Sequence, residues 1–288
     1  MERIRKYLPY ILLFLLVILT FSIWFFVFNY KNNEYLKVAF LDVGQGDSIY
    51  IEAPNGRQIL IDGGPDAKLL SSLSQVMPFA DRSIDMIVAT HPDMDHIGGF
   101  PSLIDTYKVT SILENGATSD SKVYKSLEDK IIKNKIKRII AKRGMHIILD
   151  EERNIYFDIL FPDRDVSVLD SNDGSIVGKL VYGDESFMLT GDATTYTENL
   201  IGWNEPDSIL HSDVLKLGHH GSRTSSSVPW LKSINPKVAI ISAGKNNRYK
   251  HPHKELLDRL LDLHIPFLNT ADMGTIIFKT NGKVLLQK

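Results

Sequence analysis

The sequence predicts an α/β sandwich, two β-sheets covered by helices, preceded by one membrane-spanning helix. Three observations carry this. A charge-free apolar run stands near the amino terminus, and two strand-rich stretches follow with helical periodicity interspersed. Asp or His recurs where an apolar β run stops, which places polar loops along one working edge.

From Tyr7 to Phe28 no side chain is charged: YLPYILLFLLVILTFSIWFFVF. A helix of that length spans about 33 Å at roughly 1.5 Å per residue, enough for a hydrocarbon core of about 30 Å. Arg3, Arg5 and Lys6 precede the run, and Tyr7, Trp24 and Tyr30 stand near its ends. A cleaved signal peptide is the competing reading, disfavoured because the run is long and no small-x-small site follows it. A core helix is disfavoured because the run is apolar all round. Residues 1–6 are therefore read as cytoplasmic, 7–28 as a single-pass anchor in the cell membrane, 29–36 as a linker, and 37–288 as one extracytoplasmic domain.

That domain opens with KVAFLDV and SIYIEA, joined by GQGD; a Pro-Asn-Gly-Arg turn then leads into QILID, a hairpin signature. Residues 68–76 carry leucines at helical spacing, 86–89 form a strand, and 97–107 form a helix with Pro101 in its first turns. Residues 121–134 read as an amphipathic helix. Strands return in IYFDILF, SIVGKLVYG, SFMLTG, VLKLG and KVAIISAG; a helix over 252–264 precedes the last strands, GTIIFKT and KVLLQ. Hydrophobic residues at 43% supply a sizeable core, and a formal charge of −2 gives no global attraction to nucleic acid. With no cysteine, disulfides and thiolate ligands are excluded, so any metal must be held by His, Asp or Glu.

The run MIVATHPDMDHIGGF crowds His91, Asp93, Asp95 and His96 onto a loop leaving a strand. Such spacing can point two side chains at one cation and two at a neighbour, and imidazole with carboxylate suits Zn²⁺, Mn²⁺ or Fe²⁺. A solvated acidic loop is the plainer alternative. Three other strand ends argue against it: Asp62 after QILI, Asp192 after SFMLTG, and His219-His220 after VLKLG. One strand-end Asp is ordinarily a turn former or a helix cap. Four polar strand ends in one domain point to a site.

LDVGQGDS, LIDGG, HPDMDHIGG, LTGDA and LKLGHHGS, in this order, resemble the metallo-β-lactamase superfamily, and within it the hydrolase domain of the ComEC competence proteins. The resemblance covers 37–288 and includes Asp93 where the broader superfamily has His. It implies the αββα sandwich of that family and two divalent metal ions, Zn or Mn. His91 and Asp93 would bind one cation, Asp95 and His96 the other, and Asp192 would bridge them. His220, in preference to His219, would complete a coordination shell; His219 would face the substrate. Asp62 would orient a ligating histidine, Asp47 would support the same loops, and Asn172 or Asp173 stands where many members place a further histidine. His251 is a substrate-side or metal-side group, and His253 lies near a helix start.

A water ionised between two such cations would be the nucleophile, with Asp95, Asp192 and His219 as the catalytic residues. Ser222, Ser225, Ser226 and Ser227 read as a flexible polar loop, and Lys216, Arg223, Arg248, Lys250 and Lys254 as a phosphate-contacting rim. The function implied is a membrane-anchored phosphodiesterase or nuclease acting on DNA, with DNA-uptake machinery as a partner. Two alternatives stand beside it: hydrolysis of another envelope substrate (a phosphoester headgroup, β-lactam or thioester), and a non-catalytic metal-stabilised DNA-binding module. The resemblance does not extend to the multi-span channel of the competence proteins, so translocation is not implied.

Overall fold

The computed structural model describes residues 2–31 and 34–287. It divides into two units, Met1–Glu34 and Tyr35–Lys288. The first is a helix, Glu2–Lys31, in which Tyr7–Trp24 has a mean hydropathy of 2.2 and is long and apolar enough to cross a membrane. Residues 32 and 33 of the expected linker lie outside the described residues.

The second unit holds two mixed sheets. In chain order the first six strands are β1 (Leu36–Phe40), β2 (Ile49–Glu52), β3 (Gln58–Ile61), β4 (Ser83–Ala89), β5 (Lys108–Glu114) and β6 (Lys137–Ile140). The next seven build the second sheet: β7 (His146–Asp150), β8 (Ile155–Phe161), β9 (Val177–Tyr182), β10 (Glu185–Leu189), β11 (Val214–Lys216), β12 (Val238–Ile241) and β13 (Phe267–Asn269). β14 (Ile276–Thr280) and β15 (Leu285–Gln287) then return to the edge of the first sheet, β14 pairing antiparallel with β1. Each sheet is antiparallel in one half and parallel in the other: β3 to β6 run parallel in the first, β10 to β13 in the second.

Three apolar clusters fill the three interfaces of four layers. Strand alternation sends Leu36, Val38, Phe40, Ile49 and Ile51 to the space between the sheets, where they meet Phe157, Ile159, Leu180 and Phe187. The opposite face of the first sheet, with Ala39, Tyr50 and Leu60, packs on helices Lys68–Ser74, Phe100–Thr106 and Lys122–Lys133. On the far side of the second sheet, Met188, Leu215 and Ile241 pack on Thr195–Asn204, Val228–Ile234 and Lys254–Asp262. The αββα sandwich expected from the sequence is the fold observed.

Strands β5 and β6 and the helices Thr195–Asn204 and Val228–Ile234 were not anticipated, and two expectations are corrected. The helix anticipated over 97–107 is two helices, Met94–Ile97 and Phe100–Thr106. The chain turns between them at Gly98 and Gly99, where a Cβ on Gly99 would lie 2.2 Å from the carbonyl oxygen of Gly63. The serines after the paired histidines form no flexible loop. Ser222, Ser225 and Ser226 are buried, and Ser227 caps the helix Val228–Ile234 by accepting from the Trp230 N–H. The buried Glu198 carboxylate accepts the backbone N–H groups of Ser226 and, at 2.9 Å, Ser227, while Arg259 donates to the carbonyls of Arg223, Ser225 and Ser226 at 2.7–2.8 Å.

Phe157 sits at the centre of the inter-sheet core with 1% of its surface exposed, its ring against the backbone of Gly178. Phe157→Ala is expected to destabilise the domain by about 3–5 kcal/mol, read from urea unfolding of the full chain in detergent; a loss below about 1 kcal/mol would contradict this packing.

Candidate metal centre

The site is built from loops at the carboxyl ends of β1, β3, β4, β10, β11 and β12. The first loop is held by Gly46 at φ +138°, where a Cβ would lie 2.2 Å from the Asp95 carbonyl oxygen; the next residue, Asp47, donates its N–H to that oxygen at 3.2 Å. Asp47 is thereby locked under the 91–96 loop. Asp62, at φ 58°, ends β3 and accepts from the Thr90 N–H (2.9 Å) and hydroxyl (2.7 Å). Its Oδ2 also lies 2.8 Å from His96 Nδ1.

Three buried imidazoles share one design: Nδ1 is anchored behind the ring, and Nε2 has no hydrogen-bond partner. His96 Nδ1 donates to Asp62, and His220 Nδ1 donates to the Ser242 carbonyl at 3.0 Å. His91 Nδ1 sits 3.1 Å from the Thr90 hydroxyl and 3.3 Å from that of Ser175. The His91 and His96 rings are 4.1 Å apart, and those of His96 and His220 are 5.2 Å apart.

Carboxylates face the same centre. Asp192 Oδ2 is 3.3 Å from His96 Nε2 and 3.1 Å from His220 Nε2, while Asp95 Oδ2 is 3.3 Å from His220 Nε2. Asp93 Oδ2 lies 3.7 Å from His91 Nε2, and its other oxygen accepts from Ser171 Oγ at 2.7 Å. Asp47, His96, Asp192 and His220, all buried, offer donor atoms within 4.8 Å of one another. Asp47, expected only to support the loops, thus stands among the converging donors.

Lys216 overturns its assignment to a surface rim. Its side chain has no exposed surface, and its ammonium pairs with Asp47, lies 3.6 Å from Asp192 Oδ1, and donates to the Gly191 carbonyl at 2.8 Å. The reason is strand parity: β11 buries both faces, and Lys216 points inward beneath the site. Two other rim cations are engaged elsewhere, Arg223 with Glu255 at 3.7 Å and Lys254 with Asp258 at 2.6 Å. The sequence offered one signal for Lys216, a lysine inside an otherwise apolar strand.

His219 and His220 are consecutive left-handed residues at φ 46° and 54°, followed by Gly221 at φ 86°. That unfavourable backbone turns the two rings apart. His220 enters the centre, whereas His219 stays half-buried at the mouth, its Nε2 3.5 Å from Asn172 Nδ2 and its Nδ1 3.4 Å from the Thr224 hydroxyl. Asp173 instead accepts from the Thr194 hydroxyl. The His251 ring is 5.3 Å from His219 and 6.2 Å from His220. His253 stands at the residue before the helix Lys254–Asp262 without capping it, its Nδ1 accepting the Arg223 N–H at 3.0 Å. Asp93, Asp95, Asn172, Asp192, His219, His220, Tyr249 and His251 enclose a pocket of about 230 Å³.

The electrostatics follow from burial. Burial and the neighbouring His96 push the His91 imidazole down to about 3, so it is neutral. Burial also opposes ionisation of Asp192, but His220 and His96 outweigh it and hold the carboxyl well below the usual range. Burial, reinforced by His220 and His219, lowers His251 to about 4. Burial opposes charging of His96 and His220, but Asp192, with Asp62 at His96 and Asp47 at His220, outweighs it and holds both well above the ordinary imidazole range. Five carboxylates (Asp47, Asp62, Asp93, Asp95, Asp192) face one ammonium, so the surplus reaches four negative charges only where the imidazoles serve as neutral cation ligands. Orphaned buried Nε2 atoms and unpartnered carboxylate oxygens fit cation ligands, since such atoms are otherwise costly to bury.

The sequence of residues 41–245 matches the metallo-β-lactamase superfamily. The chain belongs to the metallo-β-lactamase superfamily. It is 32% identical over 270 residues to ComE operon protein 3 of Bacillus subtilis, covering 86% of this chain and 33% of that protein. Recombination protein 2 of Haemophilus influenzae is 30% identical over 270 residues, 91% of this chain and 31% of its own length. Competence protein ComA of Neisseria gonorrhoeae is 30% identical over 243 residues, 82% and 31%. The chain spans about a third of these curated relatives, which are ComEC-like competence proteins. Among solved structures, the metallo hydrolase Igni18 from Ignicoccus hospitalis superposes with a TM-score of 0.53 at 14% identity, over 85% of this chain and 98% of that one. A long-form RNase Z from yeast gives 0.52 at 14% identity, over 88% and 43%. Both share the metallo-β-lactamase fold.

Lys216→Met removes the buried countercharge of Asp47 and Asp192 in this metallo-β-lactamase fold. In the presence of a chelator it is expected to cost about 3–5 kcal/mol of stability, measured by denaturant unfolding. A cost under about 1 kcal/mol would show that the ammonium does not balance these carboxylates.

Proposed function

We propose that the chain is a membrane-anchored, extracytoplasmic, metal-dependent phosphodiesterase that cleaves DNA. The observation that carries this is the convergence of three anchored imidazoles, each with a free Nε2, on carboxylates: His96 and His220 on Asp192, His220 also on Asp95, and His91 on Asp93. His91, Asp93, Asp95, His96, Asp192 and His220 would hold two divalent ions, with Asp47 beside them. The surplus of four negative charges supports that number.

Bound divalent ions supply Lewis acidity toward a phosphoryl oxygen and acidify water toward neutral pH. The chain's own residues do the rest. Asp62 keeps the His96 proton on Nδ1, which leaves the Nε2 lone pair free for a cation. Ser242 does the same for His220. His219 and Asn172 form a polar pair at the mouth, placed to orient a phosphate oxygen and to meet charge that develops there. Asp93, in place of an imidazole, makes the donor set harder and favours Mn²⁺ relative to an all-histidine site.

The DNA assignment draws on the competence and recombination names of the relatives and on exposed Lys245, Arg248 and Lys250, none of which has an ion pair among the described residues. The same relatives support a place beside DNA-uptake machinery. The apolar stretch Tyr7–Trp24 supports anchoring, and the lysine and arginines before it support an amino terminus on the cytoplasmic side.

Asp95→Ala and Asp192→Ala are expected to lower turnover at least about a hundredfold with circular dichroism unchanged, on a panel of bis(p-nitrophenyl) phosphate, single-stranded DNA and nitrocefin. Undiminished turnover would remove the metal mechanism, and nitrocefin as the only substrate would remove the phosphodiesterase. Elemental analysis is expected to find two divalent ions per chain. Chelation should lower the unfolding midpoint, since ligand at a hundred times its Kd stabilises by about 2.7 kcal/mol; an unchanged midpoint and no bound ion would exclude the centre.

A further inference from the structure

A second and larger cleft opens beside the metal centre. Its volume is about 610 Å³, within the range that holds a drug-sized ligand. It shares Asp93, Asp95 and Tyr249 with the metal-centre pocket, so whatever fills it lies next to the reacting position. Its other walls carry chemistry that the hydrolytic site does not use.

One wall is a stack. The Tyr249 ring lies 5.7 Å from that of His251 at an interplanar angle of 21°, and the Arg248 guanidinium sits 4.6 Å from the Tyr249 centroid. Tyr249 remains 44% exposed despite both contacts. Met94, which also lines the cleft, is 61% exposed at the start of the helix Met94–Ile97. Gln45 supplies a polar group. Its Oε1 accepts the Gly244 N–H at 3.1 Å, which fixes the amide orientation and leaves Nε2 a buried donor without an acceptor.

The geometry points to a nucleobase subsite. The cleft lined by Met94 and the Arg248–Tyr249 pair takes one base of a single-stranded DNA, stacked on that pair and hydrogen-bonded by Gln45 at an acceptor on the base edge. This rests on the phosphodiesterase reading and adds what selects the substrate. A planar guanidinium on a tyrosine is a surface on which bases stack, and a thioether in the same cleft is a polarisable contact for a base. The loop over 244–250 carries Lys245, Arg248 and Lys250 and no acidic residue, so a flanking phosphodiester meets positive charge there. A duplex cannot enter in this way, because its bases are stacked on each other. Single strands are therefore preferred.

The test uses the full chain in detergent, loaded with Mn²⁺, on three substrates: a single-stranded DNA oligomer, the same backbone with abasic residues, and the duplex. Base–aromatic stacking predicts a KM for the ordinary strand about tenfold or more below that for the abasic one. Tyr249→Ala should raise KM for the ordinary strand about tenfold, with a much smaller rise for the abasic strand, so that the preference collapses; Tyr249→Phe should restore it. Gln45→Ala should change the ranking among dT, dC, dA and dG homopolymers. Equal KM values for ordinary and abasic strands in the unaltered protein would overturn the subsite and leave the phosphodiesterase standing. So would a duplex cut as fast as a single strand, or a Phe variant no better than the Ala variant. Failure to cut any of the three polymers by protein shown to carry its metal would overturn the parent reading and the subsite together.

Discussion

The organising constraint of this domain is the burial of mutually repelling groups at one edge of a sandwich. Asp47, Asp62 and Asp192 are almost fully buried; Asp47 and Asp192 converge with His96 and His220, Asp62 lies behind His96, and His91 packs against His96. Unpaired carboxylates in such surroundings are strongly unfavourable, and a single buried ammonium, Lys216, balances only part of the charge. The cluster persists because the surrounding loops determine each position more than once. Asp62 is held by Thr90, His220 by Ser242, and the 91–96 loop by the backbone of Asp47. A site built this way is poised for cations, because the Nε2 atoms of His91, His96 and His220 have no hydrogen-bond partner.

The fold makes that convergence available. Each sheet changes from antiparallel to parallel pairing, and the parallel strands β3, β4, β10, β11 and β12 release their loops toward the common centre. Rigid strands bring polar loops together without exposing backbone in the core, the usual division of labour between scaffold and site. The loop after His220 shows how far the support extends. Glu198 and Arg259, from helices on the outer layer, satisfy five backbone groups of residues 223–227 and fix the turn that carries both histidines.

Much of the fold was legible because period and punctuation survive in the sequence. The Asn-Gly turn between β2 and β3, the strands β1 and β8, and the amphipathic helix Lys122–Lys133 all read directly. Asp47, Asp62, Asp192, His219 and His220 were singled out by standing at strand ends or beside glycine, His91, Asp93, Asp95 and His96 by crowding in one loop, and Asn172 by the family resemblance; with His251 they gather around one centre. What escaped was what has no local signature. Lys216 looked like a surface cation, the serines looked like a flexible polar loop, and Gln45 and Tyr249 were assigned no role, because partners distant in the chain give each its environment.

By itself the sequence determined the apolar amino-terminal helix, the sandwich and the residue types of the centre, since these depend on hydrophobic period, turn chemistry and strand-end polarity. Tertiary structure alone decided which histidine enters the centre and which stays at the mouth. It also decided that Asp47 joins the donors, that Lys216 is their countercharge, and that a second cleft lies alongside. The physical reason is that charge, burial and hydrogen-bond partnership are properties of neighbours in space, and these neighbours are as much as 199 residues apart along the chain, as Gln45 and Gly244 are.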